Sequence, residues 1–297
     1  MTLFDTAVLG AGPAGCAAAV QCRRLGLNVI LVDSSGIAGG LIREARKIEN
    51  YPGLEKPLTG PEFADRLNAF ISERGIGIRH FHSESVKGKY DAFEISGNGE
   101  CIISRTVIIA VGTVPKNLAV LVNGTAVIHR SILPLKGQPP ERAVVIGGGE
   151  AALDYALNLS DSGSAVKVLV RGSQLRAMGD LAREIEKHSS INILYNTAAV
   201  SASRSEGSIH LEAESSGGRI YLETDALLGA VGREPKLPVL MKDFGFKKGN
   251  IRTSVKGLYF AGDASLGSLG QAAIASGQGI QAASYASDLL RAKRGEK

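Results

Sequence analysis

The sequence predicts an α/β fold of two similar doubly wound domains, the second inserted in the first, and three observations carry that prediction. A strand, a glycine-rich turn and a helix follow one another near residue 10. The same series restarts at Ala143. A last strand and helix after Pro235 have no glycine turn of their own, and so complete the first domain. Each domain also reads as carrying a small antiparallel meander.

In the first series, Thr6 to Leu9 is a short buried strand. Gly10-x-Gly12-x-x-Gly15 follows at once, ahead of an Ala-rich helix that ends at Gly26. Gly10 permits the tight strand-to-helix turn, Gly12 lets the backbone approach a diphosphate, and Gly15 lets helix and strand pack closely. The helix start offers free N–H groups and a partial positive charge, which suit a diphosphate. The next strand, NVILVD, ends at Asp33, eighteen residues past Gly15, where an acid accepts hydrogen bonds from ribose hydroxyls. These are the parts of a Rossmann-like dinucleotide-binding domain.

The stretch SSGIAGGLIREARKIENYPG predicts a long loop over the carboxyl edge of the sheet. Gly60-Pro61 opens a helix with Phe63, Leu67, Phe70 and Ile71 as its apolar residues. GIGIRHF, ESVKGKY, AFEIS and ECIIS read as a strand and a meander, TVIIAVGTVP as a separate buried strand, and Pro115 as a linker. The second series has strand AVVI, the turn Gly147-x-Gly149-x-x-Ala152 and a helix. Strand AVKVLVR, a helix from Gly179 to His188, and strands INILYN, SIHLEAE and RIYLE follow, and ALLGAVGREP closes the unit. GLYFAGD then puts Asp263 at a strand end on the ligand edge of the first domain.

Composition narrows the function classes. The 297 residues include no Trp and only 5% aromatics, which disfavours a surface that stacks nucleic-acid bases. The net charge of +5 comes from mostly dispersed basic residues. No apolar run reaches the roughly 18 residues of a membrane span, and the N-terminus enters a strand directly without a signal peptide, so the expected location is cytoplasmic. Cys16, Cys22 and Cys101 form no C-x-x-C and are expected as reduced thiols, Cys16 in a packing role. His80 and His82 share a strand face, which is too few ligands for a metal, and no metal site is expected.

With GAGPAG at 10–15, GG at 39–40, ENYPG at 49–53, AVGTVP at 110–115, GGGEAA at 147–152, GREP at 232–235 and YFAGD at 259–263, nearly the whole chain resembles the two-dinucleotide-binding-domain flavoproteins. It is most similar to the thioredoxin reductase family. The resemblance implies an FAD-binding domain of residues 1–115 and 236–297, an NAD(P)-binding domain of residues 116–235, and a homodimer. It implies that FAD is held by Gly10, Gly12, Pro13, Ala14, Gly15, Asp33, Ser34, Gly40, Leu41, Asn50, Val86, Ala110, Gly112, Gly262, Asp263, Gln271 and Ala272. NAD(P)H falls to Gly147, Gly149, Glu150, Ala151, Ala152, Arg171, Arg176 and Gly232.

The departures from the family are equally specific. Its redox-active C-x-x-C would fall near Arg130 and Leu133, where the sequence is HRSILPLKG. A disulfide relay needs two thiols able to pair and exchange. No catalytic residue is therefore expected beyond the flavin, and electrons are expected to pass directly to an external acceptor, a small molecule or a small redox protein. The family's basic residue before Gln271 is replaced by Gly270. Eighteen residues past Ala152 stands Val170 rather than an acid, followed by Arg171 and, in the place of the family's last arginine, Arg176. Two of three arginines are kept; they favour NADPH through its 2′-phosphate and leave NADH open. Two other readings stay open: a flavin- or nucleotide-binding regulatory or scaffold protein without turnover, and a flavoenzyme reduced by a ferredoxin-type protein donor.

Overall fold

The computed structural model describes residues 2–177, 179–235, 237–240, 245–266 and 270–295. The chain folds as two compact units: Met1–Arg43, Lys47–Val114 and Glu234–Lys297 form one, and Glu44–Arg46 with Pro115–Arg233 form the other.

The first unit is built on an eight-stranded sheet. Strand Leu3–Leu9 pairs in parallel with Val29–Asp33 on one edge and Glu100–Ile109 on the other. Val29–Asp33 in turn pairs with Ile78–His80. The meander is Ser85–Lys89, Ala92–Gly97 and the first half of Glu100–Ile109. The second half of that long strand pairs in parallel with Leu258–Phe260, which brings the distant final segment into the first unit's sheet.

ECIIS and TVIIAVGTVP, expected as two strands, are therefore one strand of ten residues. Ser104 and Thr106 in its middle are fully buried yet satisfied. The Thr6 and Thr106 hydroxyls share a hydrogen bond at 2.9 Å, and Ser104 donates to the Thr106 carbonyl at 2.8 Å. Nothing forces the strand to break there, because a buried hydroxyl with a partner costs little.

Helix Pro13–Arg24 covers this sheet with its alanine face, and helix Ala272–Arg294 packs against it. A β-carbon on Gly279 would lie 2.0 Å from the Ala14 carbonyl oxygen, so the two helices touch backbone to side. Helix Gly60–Ser72 buries Phe63, Leu67 and Ile71. Phe70, expected on that face, is exposed and lies under the Arg74 guanidinium at 4.2 Å. His82 falls beyond strand Ile78–His80, so the shared histidine face does not form; His80 Nε2 hydrogen-bonds the Ser34 carbonyl instead.

The second unit has a five-stranded parallel sheet in the order Ile191–Leu194, Ala165–Leu169, Arg142–Ile146, Ala226–Gly229, Ile128–His129. Helix Glu150–Asp161 packs Leu153, Ala156 and Leu157 onto it. Its meander is Thr197–Ser205, Ser208–Ser215 and Gly218–Thr224, extended by Leu121–Asn123. The helix expected from Gly179 to His188 is shorter, Asp180–Ile185. Gly179, at φ +75°, stands outside it. Glu44–Arg46 joins this unit through ionic contacts: Arg46 pairs with Asp161 and, at 2.8 Å, with Glu184, and its N–H donates to Asp154 at 3.0 Å. No helix among the described residues is long and apolar enough to cross a membrane.

Candidate functional site

In the first unit the glycine turn follows strand Leu3–Leu9 directly. Gly10 has φ +105°, and a β-carbon on it would stand 2.3 Å from the Ala110 carbonyl oxygen, so no other residue fits. A β-carbon on Gly15 would fall 1.7 Å from the Gly10 carbonyl oxygen. Around Gly12 the opposite holds: a β-carbon there would meet only the Gly39 carbonyl oxygen, at 3.9 Å. That face of the backbone is open to a ligand.

The helix start is open as well. Helix Pro13–Arg24 begins at Gly12 with no side-chain cap. Helix Gly60–Ser72, by contrast, has a full capping box, in which the Glu62 carboxylate takes the Thr59 N–H at 2.8 Å and Glu62 N–H donates to Thr59 Oγ1. The uncapped N–H groups at the first helix can serve an anion. At the end of the neighbouring strand, Asp33 accepts from Ala11 N–H at 2.8 Å through one oxygen. Its other oxygen accepts from Ser35 N–H at 2.8 Å and Ser35 O–H at 2.6 Å.

The remaining residues assigned to FAD are distributed over this unit. Ser34 directly follows Asp33; Gly40 and Leu41 open the short 3-10 turn Gly40–Glu44; Asn50 is exposed. Val86 is wholly buried in the core. Ala110 donates to the Leu9 carbonyl at 2.7 Å beside the turn, and Gly112, at φ +66°, has no neighbour where a β-carbon would be. Gly262 N–H bonds the Gln278 side chain at 2.9 Å. Asp263 opens the helix Asp263–Leu266 rather than ending the strand, which stops at Phe260. A β-carbon on Gly270 would approach its Oδ1 to 2.8 Å, so the glycine standing in the place of the family's basic residue gives this carboxylate its room. Gln271, extended at φ −127°, is the N-cap residue of the final helix and Ala272 its first residue.

The thiols lie apart from any redox pairing. Cys16, Cys22 and Cys101 are all free, and the first two are buried in helix Pro13–Arg24. Burial pushes both thiols up to about 12, with Asp33 adding to the shift at Cys16. Packing is thus their role, as expected for Cys16.

The second unit repeats the turn. Gly147 has φ +144° and would place a β-carbon 2.3 Å from the Ala230 carbonyl oxygen. Gly149 caps helix Glu150–Asp161 by backbone alone, and Ala152, in the third position, is fully buried. Val170 is buried beside the turn, with its Cγ1 2.9 Å from where a β-carbon on Gly148 would be.

Two hollows that share Arg176 in their linings flank this turn. A cleft of about 560 Å³ is lined by Gly147, Gly148, Val170, Arg171 and Arg176 among others. A smaller cavity of about 140 Å³ is lined by Arg130, Gly149, Glu150, Ala151, Tyr155, Arg176 and Gly232. Arg171 and Arg176 are exposed and form no ion pair among the described residues, whereas Arg142, Arg183 and Arg219 of the same unit are each paired with an acid. At the places of the family's cysteines, Arg130 donates to the Asn117 side-chain oxygen at 2.9 Å, and Leu133 opens a short helix.

Three contributors have roles that the sequence alone does not assign. Tyr155, in the smaller cavity, hydrogen-bonds Glu44; burial, then the Glu44 charge, raises its phenol well above the usual range. Gly39 and Gly148 shape the two turns. The glycine pair at 39–40 and the glycine triplet at 147–149 were the available signal, but the contacts that make Gly39 and Gly148 obligatory are tertiary.

A family model described as pyridine nucleotide-disulphide oxidoreductase matches residues 4–279. Thioredoxin reductase of Ureaplasma parvum is 35% identical over 119 residues, 40% of this chain and only 38% of that protein. Thioredoxin reductase 1 of Saccharomyces cerevisiae is 29% identical over 93% of this chain and 94% of its own length. The crystal structure of T. acidophilum thioredoxin reductase superposes with a TM-score of 0.84 at 28% identity, covering 97% of this chain and 99% of that one.

Proposed function

The chain belongs to the pyridine nucleotide-disulphide oxidoreductase family, as a thioredoxin reductase-like oxidoreductase, and from that premise we propose that it oxidises NAD(P)H on FAD and reduces an external acceptor without a disulfide relay. The family uses FAD and NAD(P)H. FAD, when bound, supplies hydride acceptance from the nicotinamide and onward electron transfer.

The residues fit both groups. The open backbone at Gly12, the uncapped start of helix Pro13–Arg24 and the bare Gly112 form a cradle for the FAD diphosphate in the first unit. Gly149 and the start of helix Glu150–Asp161 offer the same to the nicotinamide nucleotide, and Arg171 and Arg176 line its cleft without an ion pair among the described residues. Uncommitted guanidinium groups suit the extra phosphate of NADPH.

The observation that carries the departure from thioredoxin reductase chemistry is the chemistry at Arg130 and Leu133, together with the burial of Cys16 and Cys22. No thiol stands where a relay would need one, so the acceptor must meet the flavin itself: a small molecule or a small redox protein.

The test is spectroscopic. Supernatant from the denatured protein is expected to contain FAD, and NADPH is expected to bleach the flavin anaerobically. With NADPH and thioredoxin, no disulfide reduction is expected. A colourless protein that cannot be reconstituted overturns the flavin assignment. Thioredoxin turnover that disappears on replacing one cysteine overturns the direct route.

A further inference from the structure

We propose that the first unit carries a further small-molecule site, an apolar pocket between helices Pro13–Arg24, Gly60–Ser72 and Ala272–Arg294 that takes an aromatic carboxylate. The site is independent of the redox reading. Of the residues assigned above to FAD or NAD(P)H, only Pro13 lines it.

The pocket forms because each helix turns one stripe toward it. On the first, Pro13, Ala17, Val20, Gln21 and Arg24 recur at the spacing of a single helix face. On the second, Phe63, Arg66, Leu67 and Phe70 do the same. Ile280 of the final helix and Tyr51, in the loop ahead of the second, complete the lining used here. The hollow measures about 370 Å³, which is within the range of small-molecule sites.

Its walls specify the body of the ligand. Val20, Phe63 and Leu67 are buried and form the floor. Phe70 and Ile280 line the same hollow yet stand 36% and 46% exposed, large apolar side chains that the three helices leave uncovered. The Tyr51 and Phe63 rings meet edge to face with centroids 4.9 Å apart. Together with Phe70 they give an aromatic lining, which a flat aromatic ring complements.

The charges specify the head of the ligand. Arg24 and Arg66 line the pocket, are exposed, and form no ion pair among the described residues, whereas Arg74, just past the second helix, pairs with Glu73. The acid one turn before Arg66 is already committed: the Glu62 carboxylate accepts from Thr59 N–H at 2.8 Å and from Thr59 O–H at 2.9 Å. No acid lines the hollow among the described residues. Two uncommitted guanidinium groups beside an apolar floor match a carboxylate on an apolar body, and a plain hydrocarbon would leave them unused.

Calorimetric titration of the flavin-loaded protein tests this, with NADP⁺ present to occupy the nucleotide cleft. The probes are 1-naphthoate and its uncharged analogue 1-naphthylmethanol, and flavin content and melting temperature are checked in each variant. Naphthoate is expected to bind one site per chain and more tightly than the alcohol. Joint replacement Arg24→Gln and Arg66→Gln is expected to weaken naphthoate tenfold or more and the alcohol less than twofold. Ile280→Trp, which fills the pocket from its exposed side, is expected to weaken both tenfold or more. Wild-type protein that binds no naphthoate, or equal binding in Ile280→Trp, overturns the site. Naphthoate binding unaltered by the arginine replacements overturns the carboxylate assignment. A wild-type dimer in sedimentation velocity that excludes naphthoate and that Ile280→Trp splits gives the groove to a second copy of the chain, and overturns the proposal as well.

Discussion

At the first glycine turn the Asp33 carboxylate holds the Ala11 N–H at 2.8 Å, whereas at the second the matching strand end is Val170, packed hard against Gly148. The acid secures its turn by a hydrogen bond and tolerates a β-carbon at Ala11. The valine secures its turn by contact and demands glycine. The pairs Asp33 with Ala11 and Val170 with Gly148 are therefore two solutions to one geometric problem. The first spends its polar group on the turn itself. The second keeps the turn apolar and leaves recognition to the arginines of the following loop.

The largest expected effect lies in the third motif position. Gly15→Ala drives a β-carbon into the Gly10 carbonyl; the oxygen belongs to the backbone and the β-carbon is fixed rigidly to it, so neither can swing away. A loss of roughly 4 kcal/mol in urea unfolding is expected, with release of flavin. The second turn already carries Ala152 there, and Ala152→Gly is expected to cost only about 1 kcal/mol. Equal costs at the two positions would mean that the turns are packed alike.

A smaller effect comes from moving one solution into the other turn. Val170→Asp is expected to weaken NADP⁺ binding tenfold or more, about 1.4 kcal/mol, while NAD⁺ keeps its affinity. The same change makes room at Gly148. Gly148→Ala alone should destabilise the second unit, and Val170→Asp should relieve most of that cost, so the double variant tests the pairing directly. Strict additivity in thermal unfolding would remove the link between Val170 and Gly148.

The smallest expected effect is silence. Cys16 lies beneath the first turn and donates its S–H to the Ala11 carbonyl, and burial pushes its thiol, like that of Cys22, up to about 12. A raised thiol stays protonated until pH climbs to that value, so at pH 8 roughly one molecule in ten thousand carries the reactive thiolate. Iodoacetamide at pH 8 is expected to label the half-buried Cys101 alone in the folded protein and all three cysteines in denaturant. Rapid labelling of Cys16 would show that the first turn opens.

What could be read from sequence follows the range of the forces involved. Both glycine turns are local, fixed by spacing within about six residues, and the repeat exposed the insertion of one unit in the other. Strand Thr197–Ser205 escaped because TAAVSASRS is small and polar and forms its strand only through pairing with Ser208–Ser215 and Leu121–Asn123. The continuity of Glu100–Ile109 depends on partners for Ser104 and Thr106 that no spacing encodes. Arg176 was visible as a residue but not as a position, because its place over Gly149 is set by a backbone hydrogen bond to Gly148. The capture of Glu44–Arg46 by Asp154, Asp161 and Glu184 left no local signal at all.

The strand Glu100–Ile109 has a consequence for the order in which the molecule is made. Its far half is completed by Leu258, which pairs with Val107 from 151 residues further along, while the second unit's central pairing joins Arg142 to Ala165 across only 23. On the ribosome, every strand of the inserted unit emerges before the closing strand of the first does. The insert folds early, over short contacts; the first unit waits with its sheet unfinished and the Ala14–Ala18 side of helix Pro13–Arg24 bare until helix Ala272–Arg294 arrives. A nascent chain stalled between the two is a folded domain tethered to a half-built one, and that intermediate is the form of the protein most in need of a chaperone.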